Sequence, residues 1–135
     1  MSLPLVHVGL DESGALTATT PLFTMAAVVT LHPERLRRLV SRAATSSGRH
    51  LKHRRTATGE FKWSNASQRM RSAVLSRLAL ADVELFALTV HKEGRRIEDS
   101  PENYAILVCE LLSLCWDKFP NVALSLDRHF TSPAP

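Results

Sequence analysis

The sequence predicts a small α/β domain built on a mixed β-sheet, and three observations lead to this prediction. Short apolar runs that stop at polar residues indicate four strands, and segments with helical spacing of apolar residues lie between them. The chain has 135 residues, 44% of them apolar and 22% charged, so it can bury a core without disulfides. No apolar run approaches the ~18 residues needed to cross a membrane, so we expect no membrane partner.

The predicted elements follow one another as strand, strand, helix, acidic loop, helix, strand, helix and strand. The strands are predicted at residues 5–10, 22–30, 83–90 and 122–126, and the helices at 33–43, 67–79 and 100–118. Two strands so close in sequence predict an antiparallel N-terminal hairpin, whereas the later strand–helix–strand step predicts parallel pairing, with helices packed on the sheet.

The last predicted helix is apolar on nearly all sides between its residues 105 and 115. Such a helix is either deeply buried or part of a protein interface, and we therefore predict a homodimer. Its two cysteines, Cys109 and Cys115, lie six residues apart and point to different faces, so no disulfide is expected between them. Reduced thiols and the lack of a secretory leader predict a cytoplasmic protein.

A basic run precedes the acidic loop. Its four formal charges, on Arg49, Lys52, Arg54 and Arg55, equal the net charge of the whole chain, which is +4. Such a run can bind the phosphates of RNA or DNA without reading their sequence. The alternative interpretation is a solvated surface loop, which is the structure that most isolated basic runs form.

Two predicted strands end at an acid, Asp11 after the first and Asp127 after the last. If these strands are parallel neighbours, both acids emerge at the same edge of the sheet, and Glu60 could join them from its loop. Three converging carboxylates require a cation, and oxygen ligands suit Mg²⁺ or Mn²⁺. Each acid also has a structural alternative, since Asp11 could hold a turn, Asp127 could lie in a surface loop and Glu60 could pair with Lys62.

Four motifs occur in a fixed order along the chain. They are D-E-S-G at 11–14, P-L-F-T-M-A-A-V-V-T at 21–30, E-F-K-W-S at 60–64 and a strand that ends in His91-Lys92. This ordered set resembles the family called domain of unknown function 3800 over residues 5–127. The resemblance implies a ribonuclease H-like fold and metal-dependent nuclease activity. It also implies that Asp11, Glu60 and Asp127 bind the metal and that Lys62 and Lys92 are basic groups of the catalytic site.

The chain departs from this family at its C-terminal end. Family members continue into a late helix with an Ala-Asp pair, whose aspartate resembles the fourth acid of the site. This sequence ends at Pro135. We therefore expect a single ribonuclease H-like domain, 1–135, without the usual C-terminal helical part. Glu12 or His129 could replace the missing ligand, although solvent exposure is the simpler interpretation for both. Two functions stay open, a Mg²⁺- or Mn²⁺-dependent nuclease and a catalytically incomplete domain that binds nucleic acid or protein.

Overall fold

The fold is α/β, and it is seen in a computed structural model that describes residues 3–46 and 63–126. The described elements are β1 (Val6–Ser13), β2 (Leu22–Thr30), α1 (Pro33–Ser46), a 3-10 turn (Trp63–Asn65), α2 (Gln68–Leu80), β3 (Val83–His91), α3 (Pro101–Trp116) and β4 (Val122–Leu126). Within these ranges the strands form one four-stranded sheet in the order β3-β2-β1-β4. The predicted α/β class and mixed sheet are confirmed.

The sheet combines antiparallel and parallel pairing. β1 and β2 form the predicted antiparallel hairpin, and β1 pairs with β4 in parallel. β3 runs antiparallel to β2, since Thr24 meets Thr89 while the Lys92 N–H donates to the carbonyl of Pro21. The predicted parallel pairing of β3 with β4 is wrong: in the described sheet β2 and β1 lie between these two strands, and the parallel pair consists of β1 and β4. α3 therefore connects the two opposite edges of the sheet.

β1 is longer than its apolar run predicts. The sequence pattern places its end near Leu10, whereas pairing with β2 continues through Asp11 and Glu12 to Ser13, which lies opposite Thr24. Polar residues have low strand propensity, but in a hairpin the backbone hydrogen bonds to the partner strand override that preference. Asp11 consequently sits within a strand and not in the turn that follows it.

The core lies between one face of the sheet and α3. Alternate strand residues such as Val8 and Met25 are buried against Leu111 and Cys115 of that helix. Fully burying a side chain of this size stabilises the fold by roughly 1.5–3 kcal/mol. α3 begins as predicted, with the Ser100 hydroxyl accepting a hydrogen bond from the third residue of the helix and proline at the first turn. We call this face of the sheet the inner face and the opposite one the outer face.

The described residues form two compact units. The sheet unit comprises described residues 3–31 and 84–126, and the helical unit comprises 32–46 and 63–83. In the helical unit, Ala43 of α1 and Val74 of α2 are buried together, and Val40, Met70 and Leu78 pack around them. This small core uses the inward-facing positions that helical periodicity predicts.

Two predictions about the helices can be compared with the structure. Both cysteines are free thiols, as the sequence predicts. Cys115 is buried as a core residue, but a core position is wrong for Cys109, which is exposed because it lies on the side of α3 away from the sheet. α3 buries only one side, however, and leaves Ile106, Leu114 and Trp116 about half exposed on the other. No helix among the described residues is long and apolar enough to span a bilayer.

Candidate functional site

Asp11 is presented on the outer face of the sheet. Its carboxylate is exposed, and Oδ1 accepts a hydrogen bond of 2.9 Å from the backbone N–H of Glu12. Ala26 lies opposite Asp11 on β2, and Gly9 is two residues before it on the same face. Both neighbours are exposed, and among residues 3–46 and 63–126 no atom beyond the adjoining chain lies within 4 Å of where a Cβ on Gly9 would stand. Within the described part of the sheet unit, the small residues beside Asp11 therefore leave space next to its carboxylate.

Glu12, the next residue, serves the opposite face. Its Oε2 accepts a hydrogen bond of 3.3 Å from the hydroxyl of Tyr104, a buried residue of α3. The alternation of a strand sends neighbouring side chains to opposite faces, so Glu12 joins the sheet to the helix while Asp11 faces outward. This geometry does not place Glu12 beside Asp11 as a replacement ligand.

Gly14 completes the D-E-S-G motif for a steric reason. Its φ is +92°, a backbone conformation that residues with a Cβ rarely adopt. A Cβ at this position would also lie 3.1 Å from the carbonyl oxygen of Leu22. The motif thus combines an outward acid, an inward acid and a glycine that lets the chain leave β1.

Lys92 is buried and holds the loop between β1 and β2. Only 2% of its surface is exposed. Its Nζ donates to the carbonyl oxygens of Ala15 and Ala18, both at 2.7 Å, and to the Thr20 hydroxyl at 3.3 Å. Three donors on one ammonium group fit this ring of acceptors, which replaces the water lost on burial. The resemblance implies a basic catalytic-site group here, and within the described residues no hydrogen bond or ion pair joins Lys92 to Asp11.

The parallel pairing of β1 with β4 bears on the predicted acid pair. Val6 lies opposite Val122, and the register continues to Leu10, which lies opposite Leu126. The prediction that the two strands share one sheet is confirmed. Leu10 and Leu126 are the residues that immediately precede Asp11 and Asp127 in the sequence, and Asp127 lies outside the described residues.

Several predicted site residues lie beyond the part of the chain that the structure describes. They are Glu60, Lys62, Asp127 and His129 among the predicted acids and their neighbours, and Arg49, Lys52, Arg54 and Arg55 of the basic run. Among residues 3–46 and 63–126, no three His, Cys, Asp or Glu side chains come together as a metal site. Of the predicted acids Asp11, Glu60 and Asp127, Asp11 is the one that lies within the described residues.

Two functions of the described residues were missed by sequence reasoning. The sequence gives no sign that Lys92 binds the β1–β2 loop, because its four acceptors lie more than 70 residues away in sequence. The contact between Glu12 and Tyr104 is equally distant along the chain. The available signal in the sequence was a lysine after an apolar strand. This signal does not distinguish a lysine that holds a loop from a lysine that takes part in catalysis.

Comparison with known proteins gives no relative for this chain. No family model, no curated protein and no solved structure matches it.

Proposed function

We propose that this protein is a metal-dependent nuclease with a ribonuclease H-like fold, which hydrolyses phosphodiester bonds of RNA or DNA. The observation that carries the proposal is the parallel register of β1 and β4, in which Leu10 lies opposite Leu126. Both residues are followed in the sequence by an aspartate. Ligand sites of α/β sheets form at the carboxyl ends of parallel strands, and in the sequence an acid immediately follows the last residue of each strand that takes part in this parallel pairing.

The surroundings of Asp11 fit a divalent cation. Its carboxylate is exposed beside Gly9 and Ala26, so small side chains leave room for an ion, its waters and a phosphate. Carboxylate oxygens are the ligands that Mg²⁺ and Mn²⁺ prefer, and Asp11, Glu60 and Asp127 would supply them. A bound ion of this kind supplies an activated water and charge stabilisation at the leaving oxygen in phosphodiester hydrolysis.

The chain's own residues have separate tasks in this proposal. Asp11 would bind the cation through its carboxylate, which the N–H of Glu12 orients. Lys92 fixes the loop that follows β1, and Glu12 ties the same strand to α3 through Tyr104. Arg49, Lys52, Arg54 and Arg55 would bind substrate phosphates near Glu60, and Lys62 would add a further basic group.

A cleavage assay tests the proposal. Labelled single-stranded RNA and DNA are incubated with the full chain and Mn²⁺ or Mg²⁺, with EDTA as the metal-free reference. We expect cleavage that needs the metal and is lost in Glu60→Gln, while binding of the same oligonucleotides persists. Glu12→Gln is the matched control, because Glu12 faces α3 and its loss should leave cleavage measurable.

Two results would contradict the nuclease. Binding without cleavage at every metal concentration would favour the alternative function, a catalytically incomplete domain that binds nucleic acid or protein. Cleavage that survives both EDTA and Glu60→Gln would show that the activity does not use the proposed carboxylates.

A further inference from the structure

The charges of the described residues separate between the two units. The helical unit carries seven arginines and two acids, Glu34 and Asp82, which gives a net charge of +5. The sheet unit carries four lysines and arginines and nine acids, which gives −5. A polyanion is therefore attracted to the helical unit and repelled by the sheet unit.

Three arginines of α1 form a row along one side of the helix. Arg35, Arg38 and Arg42 are spaced by three and four residues, so they lie above one another over about 10 Å of helix. All three are exposed. Among the described residues none of the three takes part in an ion pair, whereas Arg37 pairs with Glu34. The row therefore keeps its positive charge available to a partner.

The apolar side of α1 already has a partner. Val40 and Ala43 pack against Met70, Val74 and Leu78 of α2. An amphipathic basic helix binds a membrane by burying its apolar face among the lipids, and here that face is occupied by the neighbouring helix. What α1 offers outward is its arginine row, which suits a partner recognised by charge.

We propose that the arginine row of α1 is a binding surface for the sugar–phosphate backbone of nucleic acid. Arginine is suited to this task because its planar guanidinium donates two hydrogen bonds to one phosphate group. The row's length of about 10 Å corresponds to three steps between successive phosphates of one duplex strand, at about 3.4 Å of rise each. Contacts of this kind position a strand without reading its bases.

This inference deepens the proposed function, on which its biological meaning rests. The acidic sheet unit carries Asp11, and an acidic surface without a cation repels a phosphate backbone. Binding through α1 supplies attraction that does not depend on the metal. The two proposals can therefore fail separately, since α1 binding is measured without metal and cleavage is measured with it.

The test is fluorescence anisotropy of a labelled dT20 strand and a labelled 20-base-pair duplex, in EDTA, with the full chain at several salt concentrations. The variant Arg35→Gln/Arg42→Gln keeps good helix formers in α1, so the helix should persist. We expect the affinity for dT20 to fall about tenfold near 0.1 M salt, and the slope of log K against log salt to decrease by about 1.4. The duplex should respond in the same direction.

The matched control is Arg95→Gln/Arg96→Gln, which removes the same charge from two exposed arginines of the sheet unit. We expect its affinity and salt slope to stay near those of the parent protein. Equal losses in both variants would show a general effect of net charge and overturn the assignment. So would an unchanged salt slope in the α1 variant. Vesicles of phosphatidylserine that bind more tightly than dT20 and lose binding in the α1 variant would assign the row to a membrane surface instead.

Discussion

At the scale of single residues, the motif around Asp11 owes its geometry to three different physical demands. Strand alternation turns Asp11 outward and Glu12 inward. A positive φ makes glycine the residue that fits at position 14. Burial of Lys92 requires acceptors for its ammonium group, and the β1–β2 loop provides them. The loop and the acid are thus held by the same local structure.

Lys92→Met should destabilise the protein by about 2–4 kcal/mol, because it leaves buried carbonyls without their charged donor. Urea denaturation monitored by circular dichroism measures the change. Lys118→Met is the matched control, since Lys118 is exposed and pairs with Glu84, an interaction worth about 0–1 kcal/mol. Equal losses of stability in the two variants would contradict the structural role of Lys92.

Cys115 gives a prediction about pH. Burial raises the pKa of its thiol, and the negative charge of Glu84 adds to the effect. The folded state therefore holds the proton more tightly than the unfolded state, so this contribution to stability is complete below the ordinary thiol pKa of about 8.5. It is lost as the pH rises through the folded pKa. The free energy of unfolding should fall at alkaline pH, and Cys115→Ala should show a smaller fall; identical alkaline profiles would refute this.

At the scale of elements, the sequence predicts existence and type better than length. The apolar runs that follow Pro21 and Asn121 place β2 and β4 correctly, because both strands begin directly after these turn-forming residues. β1 extends through three polar residues because its hairpin partner continues beside it. Sequence alone also did not reveal that β3 and β4 lie at opposite edges, since strand order depends on long-range pairing.

The candidate site, too, could be predicted from the sequence only in part. Asp11 could be selected from its place after an apolar strand, and its outward direction follows from strand alternation. The role of Lys92 could not be predicted from the sequence, because its partners Ala15 and Ala18 come close to it only when the hairpin folds against the end of β3. The arginines of α1 were recognisable as a polar side of the helix. The sequence does not show that this side of α1 is left for a partner. That follows from the structure, in which α2 covers the apolar side of α1.

α3 provides a prediction about packing. Leu111 is 0% exposed beneath the sheet, so Leu111→Ala should cost about 2–5 kcal/mol by removing buried methyl groups and leaving a cavity. Thermal and urea unfolding measure the loss. Leu80→Ala, at a helical leucine that is 87% exposed, should change stability by no more than about 0.5 kcal/mol. A similar cost at both positions would contradict the described core.

At the scale of the whole molecule, two features favour the binding of a partner: the charge separation between the units and the exposed apolar side of α3. Ile106 and Leu114 are 58% and 50% exposed on that side. A second copy of the chain could cover them around a two-fold axis. We predict a homodimer, with a light-scattering mass near twice 15.0 kDa at micromolar concentration.

Ile106→Glu/Leu114→Glu should reduce that mass to a monomer, because charges would be buried without partners at the interface. Leu75→Glu is the control, since it alters an exposed leucine of the helical unit and should leave the dimer intact. A monomeric mass for the parent protein would refute the dimer.

The central claim is that Asp11 helps to hold a divalent cation at the point where the parallel pairing of β1 with β4 ends. The most direct measurement is the melting temperature of the full chain with and without Mn²⁺, in the parent, Asp11→Asn and Glu12→Gln proteins. A cation bound with a Kd of about 0.1 mM should stabilise the folded state by about 1.4 kcal/mol at about 1 mM Mn²⁺, which raises Tm by about 5 °C. We predict this rise in the parent and in Glu12→Gln, and its loss in Asp11→Asn. The absence of a rise in the parent protein, or an undiminished rise in Asp11→Asn, would contradict the account.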